Sequence, residues 1–271
     1  MKKNYWWKTL LTLIASAIHF APFYIVFTIS FKSKSDLSSR WALPSELYLD
    51  NFKLALESAN IVLAMRNSIF ITTISVTLVM LIGALAAYPL SRVKTKFNSF
   101  ILLLVVGIMM VPPLSVLVPL LRMLNVMGLI STYTGIILVL TTFYLPLSIF
   151  LYSNFIGTIP ISLDESATID GCNKLQTFWH VILPLLKPVT ASVVILTGVQ
   201  IWNDYQFSLY LLQKAEMKVV TLAVASFFAG YSSNPGAAAA AALIAITPIA
   251  LLYIFLQKYF VKGMVDGAVK G

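Results

Sequence analysis

The chain has 271 residues, of which 59% are apolar and 11% charged, with a mean hydropathy of +0.89. Soluble proteins carry roughly 25% charged residues, so this composition excludes a water-soluble domain and places the chain in a bilayer. The formal charge of +9 does not indicate a nucleic-acid partner, because the basic residues are scattered at the borders of apolar runs and no basic, aromatic-interleaved stretch occurs. Cys172 is the only cysteine, which excludes an intrachain disulfide and any multi-cysteine metal site.

A hydrocarbon core of roughly 30 Å takes about 20 apolar residues to cross as a helix. Six windows meet this: 9–31, 68–90, 97–121, 129–152, 187–202 and 237–257, the fifth being the shortest. The expected fold class is therefore all-α, a polytopic membrane protein of six transmembrane helices forming a single domain over residues 1–271. The first window exceeds a signal-peptide core and has no small-x-small cleavage pattern, so it reads as a retained span. His19 within it reads as a polar packing residue. Lysines and arginines in the connecting segments divide 11 to 8 in favour of a cytoplasmic amino terminus. An even number of spans then puts both termini in the cytoplasm.

The long loop 32–67 mixes turn formers with short amphipathic pieces and is long enough to fold onto the membrane surface or a partner. In the third window Pro112, Pro113 and Pro119 remove backbone donors and must kink or interrupt the helix. Either a packing kink or a pathway-lining break accounts for them. The sixth window opens with six alanines, Ala237 to Ala242, a smooth face suited to close helix approach.

Residues 160–184 form a polar insert between the fourth and fifth windows. Ser162 and Glu165 have the S-x-x-E spacing of a capping box, with Asp164 and Glu165 in the first turn beside the positive end of the helix dipole. Gly171 offers an exit from helical geometry, and Asn173 with Gln176 repeats the cap spacing, so two short helices joined at Gly171 are expected. Ile169, Cys172, Leu175, Phe178, Trp179 and Ile182 fall at near-helical spacing and suit packing onto the span ends. Glu165, Asp170 and Lys174 are left for a partner.

That insert resembles the EAA motif of binding-protein-dependent ABC importer permeases: Glu-Ala-Ala, three residues, Gly, nine residues, then Ile-x-Leu-Pro. Here it reads Glu165-Ser166-Ala167, Thr168 to Asp170, Gly171, Cys172 to His180, then Val181-Ile182-Leu183-Pro184, with Ser166 and Val181 as departures. PPLSVLVPLLRMLNVMGLISTYTGIIL, WNDYQFSLYLL, TLAVASFF and the closing QKYFVKGMVDGAVKG are similar to the smaller permease subunit of maltose-type carbohydrate importers. Asp266 is an acid where that family has a small or neutral residue.

The resemblance implies a coupling-helix loop on the cytoplasmic side that docks in a groove of a nucleotide-binding subunit, with Glu165, Ser166, Ala167, Asp170 and Gly171 as ATPase-coupling residues. It implies a cytoplasmic tail, 258–271, in which Gly267, Ala268, Val269, Lys270 and Gly271 contact the ATPase. The implied function is carbohydrate import across a bacterial cytoplasmic membrane, with a second permease, two ATPase subunits and an extracytoplasmic solute-binding protein as partners. ATP and magnesium belong to the ATPase subunits; no cofactor or metal is expected on this chain.

No G-x-x-x-x-G-K-[ST] phosphate loop occurs, so the chain is read as a transporter subunit without its own ATPase site. Acids are missing from the interiors of the six windows, which argues against a self-powered secondary carrier, since carriers place ionisable relays at membrane depth. A neutral interior with hydroxyls and rings suits an uncharged polyhydroxy solute, for which Tyr144, Asn203, Asp204 and Tyr205 are candidate pathway residues; helix packing or interfacial anchoring is the competing reading of each. The same role for a polyol, a phosphorylated polyol or an acidic saccharide stands as the alternative cargo. A scaffolding protein is the remaining non-transport reading.

Overall fold

A computed structural model describes residues 6–58, 60–228 and 234–268. In chain order the helices are α1 (Trp6–Ser30), α2 (Asp50–Ser58), α3 (Ile61–Arg92), α4 (Lys96–Ile108), α5 (Leu117–Val126), α6 (Tyr133–Thr158), α7 (Ser162–Ile169), α8 (Lys174–Thr177), α9 (Leu183–Leu185), α10 (Lys187–Trp202), α11 (Gln206–Leu211), α12 (Val220–Ser226) and α13 (Pro235–Ala268). Two compact units emerge, Met1–Met65 with Val220–Thr247 and Arg66–Val219 with Pro248–Gly271.

Among the described residues, four helices are long and apolar enough to span a membrane, α1, α3, α6 and the Pro235–Gln257 part of α13; counting each of two bent pairs as one span brings the number up to six. The third expected span is one of these pairs: Lys96–Ile108 and Pro113–Val126 meet at 95°. Pro112 cannot donate, and the residue before a proline is pushed out of helical geometry, so Pro112 sits extended at ψ 128 and a short 3-10 turn, Pro113–Val116, restarts the chain. The fifth span, too short on its own, is the straight arm of a second pair bent by 76°. Apolar side chains such as Leu13, Ile18 and Phe20 lie 62%, 66% and 69% exposed on α1, a surface that only lipid or a partner can cover.

In the first unit, the loop after α1 folds back on the helix that precedes it. Buried Asn51 donates to the carbonyls of Ser30 (3.0 Å) and Lys32 (2.8 Å). Lys32, 7% exposed, donates to Ser38 Oγ (2.6 Å) and the Ser39 carbonyl (2.7 Å), and Tyr24 donates to the Trp41 carbonyl (2.9 Å) while stacking on its ring. Ala237 to Ala241 are buried, as expected of a packing face. His19 differs from expectation: its ring is exposed, and Nδ1 lies 2.7 Å from the Ala15 carbonyl one turn back, so it satisfies itself within α1.

In the second unit, α3, α6 and α10 surround a core of Val79, Ala84, Ala87, Tyr152, Ile156, Val189 and Val193. Lipid supplies no hydrophobic drive between helices, so close packing of small groups and buried hydrogen bonds must do the joining. Both occur at one crossing, where Ser148 Oγ donates to the Val79 carbonyl (3.0 Å) against Gly83. Tyr152 donates to Thr190 Oγ1 (3.0 Å), linking α6 to α10. At the amino-terminal end of α3, Asn67 uses every polar atom of its amide: it donates to the carbonyls of Glu216 (2.9 Å) and Lys218 (3.0 Å) and accepts from the Tyr133 hydroxyl (2.9 Å).

Candidate functional site

The 160–184 insert is two short helices with different terminal chemistry. α7 begins without the expected serine cap. Ile161 is already helical at φ −67, ψ −23, which moves the start one residue forward and puts Ser162 at the first helical position rather than before it. The leading amides instead bond backbone carbonyls, Asp164 and Glu165 to that of Ile161 at 2.9 and 3.1 Å. α7 ends as expected. Gly171 takes φ +86, its N–H bonds the Thr168 carbonyl (3.1 Å), and the Cys172 N–H reaches back to that of Ala167 (2.9 Å). This pair of bonds is a Schellman close, which needs a left-handed residue at that point. α8 then opens with a complete capping box: Asn173 Oδ1 accepts from the Gln176 amide (2.9 Å) and Gln176 Oε1 from the Asn173 amide (2.8 Å).

Beyond α8 the chain widens into a single π turn, Phe178–Ile182, before α9 and the bend into α10. Phe178 and Ile182 are 2% and 0% exposed and join the core of α3, α6 and α10, with the Tyr88 ring 5.5 Å from Phe178. Of the other apolar residues expected to pack here, Ile169 and Leu175 do not: they are 86% and 61% exposed, and Trp179 is 42% exposed. Helical spacing alone placed them on one face, but the turn at Gly171 rotates α8 relative to α7, so the spacing does not carry through it.

Glu165, Ser166, Asp170, Gly171 and Lys174 are exposed, whereas Ala167 is 5% exposed, its methyl turned into the chain's own packing. Sequence reasoning missed what holds α7 in place. Arg92, the last residue of α3, donates through Nη1 to the carbonyls of Ile156 (3.2 Å) and Ile159 (2.8 Å) at the end of α6, and its Nη2 pairs with Asp164 Oδ2 at 2.8 Å. Tyr88 Oη donates to the other Asp164 oxygen at 2.7 Å. The signal in the sequence is an arginine that closes a long apolar run ahead of Lys94 and Lys96.

The four pathway candidates fall into two groups. Tyr144 lies on α6, half-buried, within electrostatic reach of Asp204. Asn203, Asp204 and Tyr205 form the turn between α10 and α11, with Asn203 and Tyr205 exposed. Asp204 accepts from the Ser208 amide (2.9 Å), the Ser208 hydroxyl (2.8 Å) and the Phe207 amide (3.4 Å), which caps α11. Burial pushes its carboxyl above the ordinary aspartate value, and those hydrogen bonds work against the rise. Of the tail residues, Gly267 and Ala268 end α13, and Val269, Lys270 and Gly271 lie outside the described residues.

The model of the family described as binding-protein-dependent transport system inner membrane component matches residues 79–266. The chain belongs to this family. Among relatives of this permease, the melibiose/raffinose/stachyose import permease protein MelC of Bacillus subtilis is 45% identical over 264 residues, 97% of this chain and 96% of the relative. The probable starch degradation products transport system permease protein AmyC of Thermoanaerobacterium thermosulfurigenes is 34% identical, again over 97% and 96%. A chain from the crystal structure of a bacterial ABC transporter involved in the import of the acidic polysaccharide alginate superposes with a TM-score of 0.80 over 96% of this permease and 98% of that chain; at 20% identity it establishes the common fold. The region matched by the family contains the whole insert and the Arg92–Asp164 pair.

Proposed function

We propose that this permease is one of two membrane subunits of an ATP-driven carbohydrate importer of a bacterial cytoplasmic membrane, a single transmembrane domain forming half of the translocation path. Its other partners are two ATPase subunits and an extracytoplasmic solute-binding protein. It has no ATPase site of its own; ATP and magnesium are bound by the partner subunits. The amino and carboxyl termini are cytoplasmic. The observation that carries this reading is the insert itself: a helix pair closed at its joint by the Gly171 turn and the Asn173 capping box, whose outward side offers Glu165, Ser166, Asp170 and Gly171 while its inner side is fastened to α3, α6 and the core. Such a part suits a lever. Identity of 45% to a melibiose/raffinose/stachyose import permease protein supports a saccharide cargo.

Nucleotide drives the ATPase subunits together, they move the docked α7–α8 pair, and the spans exchange outward and inward openings as rigid bodies. Exposed Glu165 and Asp170 make charge-assisted contacts with the docking groove, and the end of α13 with residues 267–271 reaches the ATPase interface. On the cargo side, Tyr144 and the 203–205 turn contribute to the path, with Asp204 holding that turn through its cap.

Reconstitution of all subunits in proteoliposomes tests the proposal. Uptake of melibiose or raffinose should require ATP, both ATPase subunits and the binding protein together. Uptake by this chain without ATPase subunits, driven by an ion gradient, would refute it.

A further inference from the structure

The lever reading leaves open how displacement of α7 reaches the spans. A cleft of about 560 Å³ lies beside α7, walled by Leu85, Pro89, Ile161, Leu175 and Phe178, with Arg92 and Asp164 on its surface. Apolar packing is therefore interrupted between the carboxyl end of α3 and the start of the insert. The groups that bridge the interruption are polar. Arg92 and Asp164 are only 12% and 15% exposed, and their interactions converge from three elements: Arg92 from α3, the Ile156 and Ile159 carbonyls from the end of α6, and Asp164 from α7. Tyr88, one turn before Arg92 on α3, holds the second carboxylate oxygen. The Ile156 carbonyl already accepts the Ile159 amide (3.1 Å), so the guanidinium adds a second donor there, donates as well to the Ile159 carbonyl, and sits favourably at the negative end of the dipole.

We propose that Arg92, Asp164 and Tyr88 are positioning residues that transmit the motion of the coupling helix to α3 and α6. This rests on the lever reading above. The insert is then held at two points: α7 by this polar clamp, and the π turn by Phe178 and Ile182 in the core. A pull on α7 passes to the ends of α3 and α6 through the first, and a pull on the π turn passes to the core shared by α3, α6 and α10 through the second. Loss of the clamp leaves only the core attachment beyond the turn at Gly171, so α7 shifts without carrying the ends of α3 and α6 directly with it, and ATP is hydrolysed without matching transport.

The test is the ratio of ATP hydrolysed to sugar imported in the full reconstituted complex. Tyr88→Phe deletes one hydroxyl without changing shape and should raise the ratio about threefold. Asp164→Asn and Arg92→Met should each lower transport by about tenfold or more, since either leaves a nearly buried charge unpaired. The double variant Arg92→Met with Asp164→Leu removes both charges, a change that buried pairs tolerate in stability; assembly and thermal stability should return while the raised ratio persists. A wild-type ratio in Tyr88→Phe and in the double variant overturns the clamp and leaves it a purely structural pair. Glu165→Ala separates this from the lever reading: normal transport in that variant, with the complex assembled, overturns the lever, whereas a loss there alongside wild-type ratios in the clamp variants overturns the clamp alone.

Discussion

Gly171 offers a graded test of whether a partner surface closes over the insert. Its φ of +86 is a conformation that costs an L-residue roughly 1–2 kcal/mol, and asparagine bears it better than other side chains. A Cβ built on Gly171 meets no atom within 4 Å, so alanine adds no clash within this chain, and leucine carries the same backbone cost. Asparagine should transport close to wild type. Alanine should fall by up to about tenfold, since about 1.4 kcal/mol is a factor of ten. A further loss in leucine measures what the ATPase places against the turn where the thermal stability of the permease without ATPase is equal in the two variants. The assay is binding-protein-dependent uptake in proteoliposomes, normalised to assembled complex, and leucine is expected to fall about tenfold below alanine. Equal uptake by the alanine and leucine variants would show that the turn faces water rather than a partner.

Gly83→Val pushes a side chain into Ser148, whose Cβ lies 2.8 Å from where a Cβ at position 83 would stand; overpacking of this kind costs about 1–3 kcal/mol and should lower the melting temperature of the purified complex. Asn67→Ala strips the Tyr133 hydroxyl and the Glu216 and Lys218 carbonyls of their partner, a loss of about 1–3 kcal/mol, and hydrogen exchange over 215–219 should accelerate while α10 is unchanged. Asp204 has a folded-state pKa raised above 3.8 by burial, so its neutral form is favoured in the fold and its contribution to stability declines as pH rises from that value through the raised one. Asp204→Asn should flatten that part of the pH profile; wild-type and variant stability curves that run parallel as pH rises above the ordinary aspartate value would count against it.

Much of the membrane architecture was readable because it depends on local chemistry. Apolar runs long enough for a bilayer marked the spans, Pro112–Pro113 marked the break in the third, and Gly171 and the Asn173–Gln176 spacing marked the joint of the insert. The fifth span looked too short because its apolar length continues around a 76° bend into the insert, and a straight window cannot follow a bend. Ser162 misled for a different reason: the S-x-x-E spacing is necessary for a capping box, but whether the residue before it is already helical depends on the backbone at Ile161. The clamp was illegible. Tyr88 and Asp164 are 76 positions apart, and only the packing of α3 against α6 brings them together. Of the coupling residues, exposed Glu165 and Asp170 remain suited to a partner, while Ala167 turned out to be small because it packs inward.

The most direct measurement concerns which side of the membrane the insert occupies and what covers it there. In a Cys172→Ser background, Ser166→Cys places a single exposed thiol on α7. A membrane-impermeant maleimide should label it in inside-out vesicles stripped of ATPase, fail to label it in intact cells, and lose access when the ATPase subunits are added back. Labelling from outside intact cells, or labelling unaffected by the ATPase, would contradict a lever driven from the cytoplasm.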